Sequence, residues 1–403
     1  VQKKGYCSDV FTDAAIDFIA HSRDKPFFCY LAYNAPHTPL QVPDRYHQMY
    51  AKLNLGHDQF PKFGQPLPGK ADQDVIAKVY GMVTNIDDNI GRLLAKLDEL
   101  GLAENTFVIF LTDNGPQQVR YNSGMRMRKG SVHEGGVRVP FFVRWPAQLP
   151  KDRDIDRIAA HIDVVPTLSA ACGLAQPENP RIDGSNLLPL WKNADAPWPD
   201  RTLYFQWHRG DVPEMHRACA ARSQKWRLVQ PEGAGEKSLP GKFKFQLYDM
   251  EQDPFEQHDV AQQHPDVVAK MKQGYEAWFR DVAATRGFAP PRIHVGSDKE
   301  PVTILTRQDW RGPKAGWGPK SVGHWDVQVE KAGVYEIKIT APQKWHDVTA
   351  GFDADLKGKT CVLVNGEGQI TVELAAGPLR LAPTIAVGEE TQGARYVEVR
   401  RLR

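Results

Sequence analysis

The chain is poor in the residues that would mark several common classes. Five cysteines in 403 residues, Cys7, Cys29, Cys172, Cys219 and Cys361, fall without CxxC spacing. That pattern excludes a disulfide framework and a zinc knuckle. Cys29 and Cys172 stand in apolar runs and read as buried, unreactive thiols. There is no charge of one sign to speak of: 51 basic side chains face 49 acidic ones, a formal net charge of +2. A basic footprint for nucleic acid is therefore absent. No apolar run approaches the length of a membrane span. The first residue is Val1, no signal peptide is visible, and the chain reads as beginning inside a larger polypeptide. Its length is too great for one core, so two or three domains are expected.

The most informative stretch that is present runs from Thr112 to Gly136. Residues 106–111, TFVIFL, are a run of β-formers, and Asp113-Asn114 follow at its carboxyl end, with Gly115-Pro116 forcing a turn. In an open α/β sheet, ligands bind where loops leave the carboxyl ends of strands. A carboxylate beside a carboxamide offers two hard oxygens to one cation, which suits Ca²⁺ or Mg²⁺ better than Zn²⁺. Lys129 follows in a glycine-flanked loop, an ammonium able to reach an anion held by that metal. Read alone, Asp-Asn-Gly is equally an Asx-turn beside a solvated lysine.

Periodicity organises the rest. Phe11–Ala20 is predicted as an amphipathic helix capped by Thr12 or Ser8, and Phe27–Tyr33 as a parallel strand buried on both faces. Asp74–Leu100 is predicted as a long helix whose apolar face carries Ile76, Val79, Val83, Ile86, Ile90, Leu93, Leu94 and Leu97, ended by Gly101. Strands at 106–111 and Val139–Val143 follow. Asp163 reads as the N-cap of a helix that ends at Gly173. Alternating strands and helices argue a doubly wound sheet. From about residue 200 the texture changes. Leu203–Trp207, Trp226–Val229 and Phe245–Tyr248 read as a small antiparallel sheet, with a helix from Pro265 to Val282 packing back on it. Beyond a linker around Arg286–Arg292, residues 293–403 read as an all-β sandwich. There Trp325–Val329 and Tyr335–Ile339 give a hairpin signal across Lys331-Ala332-Gly333. Further runs lie at 361–365, 370–374 and 395–399.

Residues 26–43 (PFFCYLAYNAPHTPLQVP), 80–101, 106–146 and 157–174 together resemble the C-terminal part of a type I sulfatase, the group that includes the arylsulfatases. Leu247-Tyr248-Asp249-Met250-Glu251-x-Asp253-Pro254-x-Glu256 resembles a stretch of the C-terminal subdomain of the same enzymes. The resemblance implies an α/β fold: an alkaline-phosphatase-like doubly wound sheet lacking its N-terminal strands, a small antiparallel α+β subdomain, then the sandwich. The expected boundaries are 1–199, 200–285 and 293–403. The resemblance also implies a sulfuric ester hydrolase acting on a sulfated small molecule or glycan. Its cofactor would be Ca²⁺, its nucleophile a formylglycine, and its location the periplasm or the cell exterior.

Carried over residue by residue, Asp113 and Asn114 match half of the family's calcium cage. Lys129 matches the lysine that contacts sulfate and the leaving oxygen, and His37 matches the histidine of the Pro-His-x-Pro loop. Fixed cations at those oxygens lower the barrier to attack on sulfur, and an imidazole or ammonium can protonate the leaving group. His133, His208 and Arg209 are weaker candidates for contact with substrate. Glu134 and Arg138 read as a buried pair bracing the loop, and Asp87-Asp88 as local pairing on a helix. Trp310, Trp317 and Trp345 read as core residues or as platforms for sugar rings.

One departure is decisive. No Cys or Ser stands in a Cys/Ser-x-Pro/Ala-x-Arg context, and the family's Asp-Asp pair and Gly-Lys-x-His segment are absent. All three belong to a stretch on the order of 100 residues that would precede Val1, comparable to a small domain. The chain is thus expected to hold half a site and to be inactive alone. Rival readings are a phosphodiesterase or phosphonate hydrolase of the same superfamily, and a non-catalytic glycan-binding protein. Oligomeric state is not readable.

Overall fold

A computed structural model of the chain describes residues 3–67, 69–176, 178–208, 212–234 and 243–403. The described contacts divide into two compact units, Val1–Phe288 and Ala289–Arg403. No described helix is long and apolar enough to cross a membrane.

In the first unit, helix α1 (Cys7–Ser22) begins earlier than its apolar period suggests. Thr12 and Ser8 do not cap it: both are buried, and Thr12 Oγ1 donates to Ser8 O at 2.8 Å inside the helix. A short helix α2 (Asp44–Tyr50), unforeseen in the sequence, precedes α3 (Gln73–Glu99). The α3 N-terminus is capped by Asp72, whose carboxylate accepts from Val75 N, and Gly101 leaves it at φ 69°. The buried face of α3 carries Ile76, Val79, Met82, Ile86 and Leu97, while Val83 is exposed. The buried stripe also admits two asparagines. Asn85 and Asn89 each donate from Nδ2 to Asp9 Oδ1 of α1 at 2.7 Å. Buried carboxamides need such a partner, and the half-buried Asp9 carboxylate supplies it to both.

Strand β1 (Val108–Leu111) pairs antiparallel with β2 (Phe141–Arg144), the short α4 (Glu134–Val137) lying between them in sequence. The expected strand Phe27–Tyr33 is extended but joins no ladder among the described residues. Instead of burial on both faces it alternates: Phe28 is 74% and Tyr30 82% exposed. Phe142 of β2 is also exposed and stacks on Phe110 at 6.1 Å. Cys29 is half-buried and Cys172 exposed, so neither is the buried thiol that its apolar neighbours imply.

Helices α5 (Val164–Ala171) and α6 (Leu188–Lys192) follow. Asp163 stands at the N-cap of α5 without capping it through its side chain. Its fully buried carboxylate accepts instead from Ala160 N, Ser185 N and both terminal nitrogens of Arg201. It ties three chain segments together where the sequence implies one helix end.

The first unit closes with a four-stranded antiparallel sheet in the order β3 (Leu203–Gln206), β4 (Cys219–Arg222), β5 (Trp226–Gln230) and β6 (Gln246–Asp249). Helix α7 (Pro265–Arg286) packs Met271, Tyr275 and Phe279 toward it. The strand absent from the sequence reading is β4, whose Cys-Ala-Ala-Arg lacks the branched residues that signal a strand, although three of its four residues are buried.

The second unit comprises β7 (Ile293–Val295), β8 (Val302–Thr306), β9 (Trp325–Val329), β10 (Gly333–Thr340), β11 (Val348–Ala354), β12 (Thr360–Leu363), β13 (Glu367–Leu374), β14 (Gly377–Val387), β15 (Glu390–Gly393) and β16 (Tyr396–Arg401). One sheet runs β13-β10-β16-β8. The other runs β12-β11-β14-β9-β7, with β15 beside β14. A single core of aliphatic residues with Trp310, Trp325, Tyr335 and Phe352 fills the space between them. The expected hairpin is not formed. β9 pairs with β14 and β7, and β10 with β13 and β16, so the Lys331–Gly333 turn carries the chain from one sheet to the other.

Candidate functional site

The strand-end turn is built by glycines. Asp113 is exposed just beyond β1, and its Oδ1 accepts the Asn114 amide at 2.9 Å, an Asx-type contact that fixes the turn. Asn114 Nδ2 donates to Gly115 O at 2.9 Å, which leaves Asn114 Oδ1 free of that bond. His161 Nε2 donates to Thr112 O at 2.7 Å and steadies the residue before the pair. Gly115 lies against the 131–136 segment so closely that a Cβ there would stand 1.9 Å from Gly135 O, and its amide donates to Gly136 O at 2.9 Å. We therefore expect Gly115→Ala to cost about 1–3 kcal/mol through overpacking. Urea unfolding checks this, and an unchanged midpoint would show that the two segments are not in contact.

The loop that carries Lys129 is folded onto the same turn. Lys129 N donates to Pro116 O at 3.0 Å, Arg128 bonds Gln117 O, and buried Asn122 donates from Nδ2 to Met125 O and Met127 O, each at 2.9 Å. Met127 (φ 63°) and Gly130 (φ 82°) take left-handed backbone on either side. The half-buried Lys129 ammonium has no ion pair among the described residues. Asp113, Asn114 and Lys129 thus belong to one interlocked backbone unit.

None of the other expected site residues is hydrogen-bonded to this unit among the described residues. His37 is exposed in its proline-flanked loop, and its Nδ1 donates to Thr38 O at 2.7 Å. With Nδ1 carrying that proton, Nε2 is an acceptor in the neutral ring and a donor only in the imidazolium. His208 is half-buried and its Nε2 has no hydrogen-bond partner among the described residues. The neighbouring Trp207 indole lies 3.7 Å from where a Gly130 Cβ would be, so the β3 end abuts the lysine loop. Arg209 lies outside the described residues.

His133 takes a different part from the expected one. It is 3% exposed, and its Nδ1 donates to Glu256 Oε1 at 2.9 Å. The other Glu256 oxygen accepts Glu134 N at 3.0 Å. Burial leaves His133 no face for substrate, and it braces the loop from behind. Glu134 is braced as expected, but by a different partner. Arg227 Nη1 binds its Oε1 at 2.6 Å and Arg222 Nε stands 3.5 Å away, whereas exposed Arg138 reaches only 4.0 Å. Arg227 Nε lies 3.1 Å from Glu256 Oε1, an ion-pair distance without hydrogen-bond alignment.

Glu256 itself sits at φ 58° and is fully buried. Burial opposes its ionisation, but the His133 bond and the Arg227 charge overcome that, and its carboxyl lies below the ordinary carboxylate value. Its carbonyl also accepts from Arg126 Nη1 at 2.9 Å and Gln65 Nε2 at 3.0 Å. Arg126 Nη1 reaches Tyr248 OH at 2.6 Å, and burial pushes that phenol up to about 12. Reading the sequence for chemistry misses this hub. The resemblance touches Glu256, but its partners lie 122 and 123 residues away, and no local pattern joins them.

Of the residues present, Asp113 and Asn114 supply oxygen donors of the kind a hard cation takes. Such a cation fills six to eight positions, so the pair fits part of a shell. Among the described residues, no group of three or more His, Cys, Asp or Glu side chains converges to complete one.

Comparison with known proteins adds a second line. A family model described as Sulfatase matches residues 2–174, and one described as N-sulphoglucosamine sulphohydrolase, C-terminal, matches residues 126–279. N-acetylgalactosamine-6-O-sulfatase of Bacteroides thetaiotaomicron is 28% identical over 291 residues, 67% of this chain and 50% of its own. Human N-acetylgalactosamine-6-sulfatase is 31% identical over 212 residues, 51% of this chain and 35% of its own. The crystal structure of Ps i-CgsB in complex with k-i-k-neocarrahexaose superposes with a TM-score of 0.59 at 28% identity, covering 72% of this chain and 58% of that one. The chain spans about half the length, or less, of the curated relatives it matches.

Proposed function

We propose, on the premise that this chain belongs to the sulfatase family, whose members here share an alkaline-phosphatase-like α/β fold, that it carries part of the active site of a sulfuric ester hydrolase acting on a sulfated carbohydrate. The observation that supports this most is the interlocked unit of Asp113, Asn114 and Lys129 at the carboxyl end of β1. Lys129 supplies a fixed positive charge to the sulfuryl oxygens and the leaving oxygen, where charge grows as the ester S–O bond breaks. His37, held through Nδ1, presents Nε2 to the same group and as imidazolium can hand a proton to the leaving alcohol. From the 200–285 subdomain, His208 would contact the sugar, and Arg209, outside the described residues, is kept as a candidate for the same role on sequence alone.

Asp113 and Asn114 would hold Ca²⁺, with the remaining ligands and a formylglycine nucleophile supplied from outside residues 1–403. Bound there, the cation draws charge from the sulfuryl oxygens. In protein expressed from its own gene, Asp113→Ala is expected to lower both calcium content and turnover. Unchanged metal content by elemental analysis would remove Asp113 from the ligand set. By the family's habit, the enzyme is exported to the periplasm or the exterior.

The test of the whole reading is an intact mass and N-terminal determination on that protein, paired with an assay on a sulfated chromogenic ester. A formylglycine mass signature with turnover is the expected result. A chain that carries no such modification and is inert toward the ester would reject the hydrolase reading in favour of a glycan-binding protein.

A further inference from the structure

Of the three tryptophans of the second unit that could meet sugar, two are committed to its packing. Trp310 is 7% exposed and in ring contact with Trp325 at 5.7 Å, and Trp345 packs against the core. Trp317 is 73% exposed. It stands in the segment 311–324, RGPKAGWGPKSVGH, which contains no acidic residue and carries Arg311, Lys314 and Lys320.

This segment is a built platform. Its two ends are joined by Arg311 N to His324 O at 2.8 Å and His324 N to Arg311 O at 3.0 Å. Val322 N donates to Lys314 O at 3.1 Å, and Gly393 N of β15 donates to Ser321 O at 3.0 Å. Beneath it lies a buried cation. Arg307 is 8% exposed, stacks on Trp310 at 4.5 Å, and spends its guanidinium on three carbonyls: Ala394, Gly393 and Gly318. Gly318 is the residue after Trp317, so the buried arginine fixes the backbone at the foot of the exposed indole. Holding a large aromatic in water on a pinned loop gives no packing return, whereas it suits a flat apolar partner. Lys320 is occupied by Glu390, while Lys314 is exposed with no ion pair among the described residues.

We propose that this loop is an accessory binding site for a sulfated oligosaccharide, with Trp317 stacking on the apolar face of a sugar ring and Lys314 pairing with a sulfate ester. The inference rests on the reading of the first unit as acting on sulfated carbohydrate. It adds where a second part of the polymer is held.

Calorimetric titration of the full chain with a carrageenan-type hexasaccharide, and with the same hexasaccharide after chemical desulfation, tests the proposal. A common Lys129→Ala background lowers the contribution of the first unit and holds what remains constant across the variants. Trp317→Ala is expected to weaken binding of both sugars about tenfold, which corresponds to about 1.4 kcal/mol. Lys314→Ala is expected to weaken only the sulfated sugar, by about threefold, in keeping with an exposed ion pair. Affinity unchanged by Trp317→Ala overturns the site, and a Lys314→Ala loss equal for both sugars overturns the sulfate contact. Sedimentation of the same samples without sugar would assign the loop to a second copy of the chain if self-association occurred and Trp317→Ala abolished it. Hydrolysis of a small sulfated ester, measured separately on protein expressed from its own gene with Lys129 intact, is expected to be unaffected by Trp317→Ala. Its absence in every variant of that protein would count against the hydrolase reading and leave the binding result to stand by itself.

Discussion

Glu256→Ala is expected to destabilise the first unit by about 3–5 kcal/mol, because it removes one partner of a buried ion pair and strands the others. His133 would lose its acceptor, the Glu134 amide its hydrogen bond, and Arg227 one of its two carboxylates. For a unit of this size the melting temperature should fall on the order of 10 °C. Thermal unfolding followed by far-UV circular dichroism reads it, and a shift of under about 1 kcal/mol would show that the cluster is not a stabilising hub. The same carboxylate sets a pH window. Its folded value lies below the ordinary 4.5, so its contribution is fully present above that pH and is lost as the pH falls through the folded value. Wild type should therefore lose stability on acidification below about 4.5 more steeply than Glu256→Ala. Parallel acid-unfolding curves for the two proteins would contradict this.

Lys129→Ala is the second large effect, and it falls on chemistry instead of stability. The side chain is half-buried and pairs with nothing among the described residues, while the backbone amide that holds the loop to Pro116 O survives the change. The fold should therefore persist. Turnover of a sulfated ester by protein expressed from its own gene should fall by about a hundredfold or more, the scale seen when one preorganised charge-stabilising group is removed. Lys129→Arg keeps the charge but not the compact ammonium and should restore little. Activity of Lys129→Ala above a tenth of wild type would remove this residue from the reacting centre.

How far the sequence reaches differs between elements, for physical reasons. Helix α3 was readable because 27 residues sample the helical period many times and Gly101 punctuates its end, although its cap, Asp72, was not picked out. Helix α2 was not, since seven residues with two tyrosines and a methionine give hardly two turns of period. Alternation along β9 and β10 correctly told which side chains are buried. It could not tell which sheet each strand joins, because both inner faces of a sandwich impose the same period of two. The partners that decide it, β13 and β14, come some 40 to 50 residues later in the register of Val329 with Gly377 and Gly333 with Leu374.

In the site the same division holds. Asp113, Asn114 and Lys129 stand out as candidates through side-chain type and the end of a strand. The glycine contacts that lock them together are matters of distance, invisible until Gly115 is seen against Gly135. His133 was misjudged because a histidine near a site looks alike whether it faces ligand or a buried carboxylate far along the chain.

The bond between His133 and Glu256 spans 123 residues, and it bears on the order in which the protein is made. A chain emerging from the ribosome presents the lysine loop long before it presents Glu256, so the loop spends that interval without the group that holds it. Closing so wide a span is slow relative to local helix formation. The α1–α3 helices and the β1–β2 pair can assemble during synthesis, but the lysine loop gains this brace only once β5 and the turn after β6 have emerged. Cut short between residues 176 and 256, a nascent chain would already hold every one of Asp113, Asn114 and Lys129, with only their local bonds and no brace from Glu256.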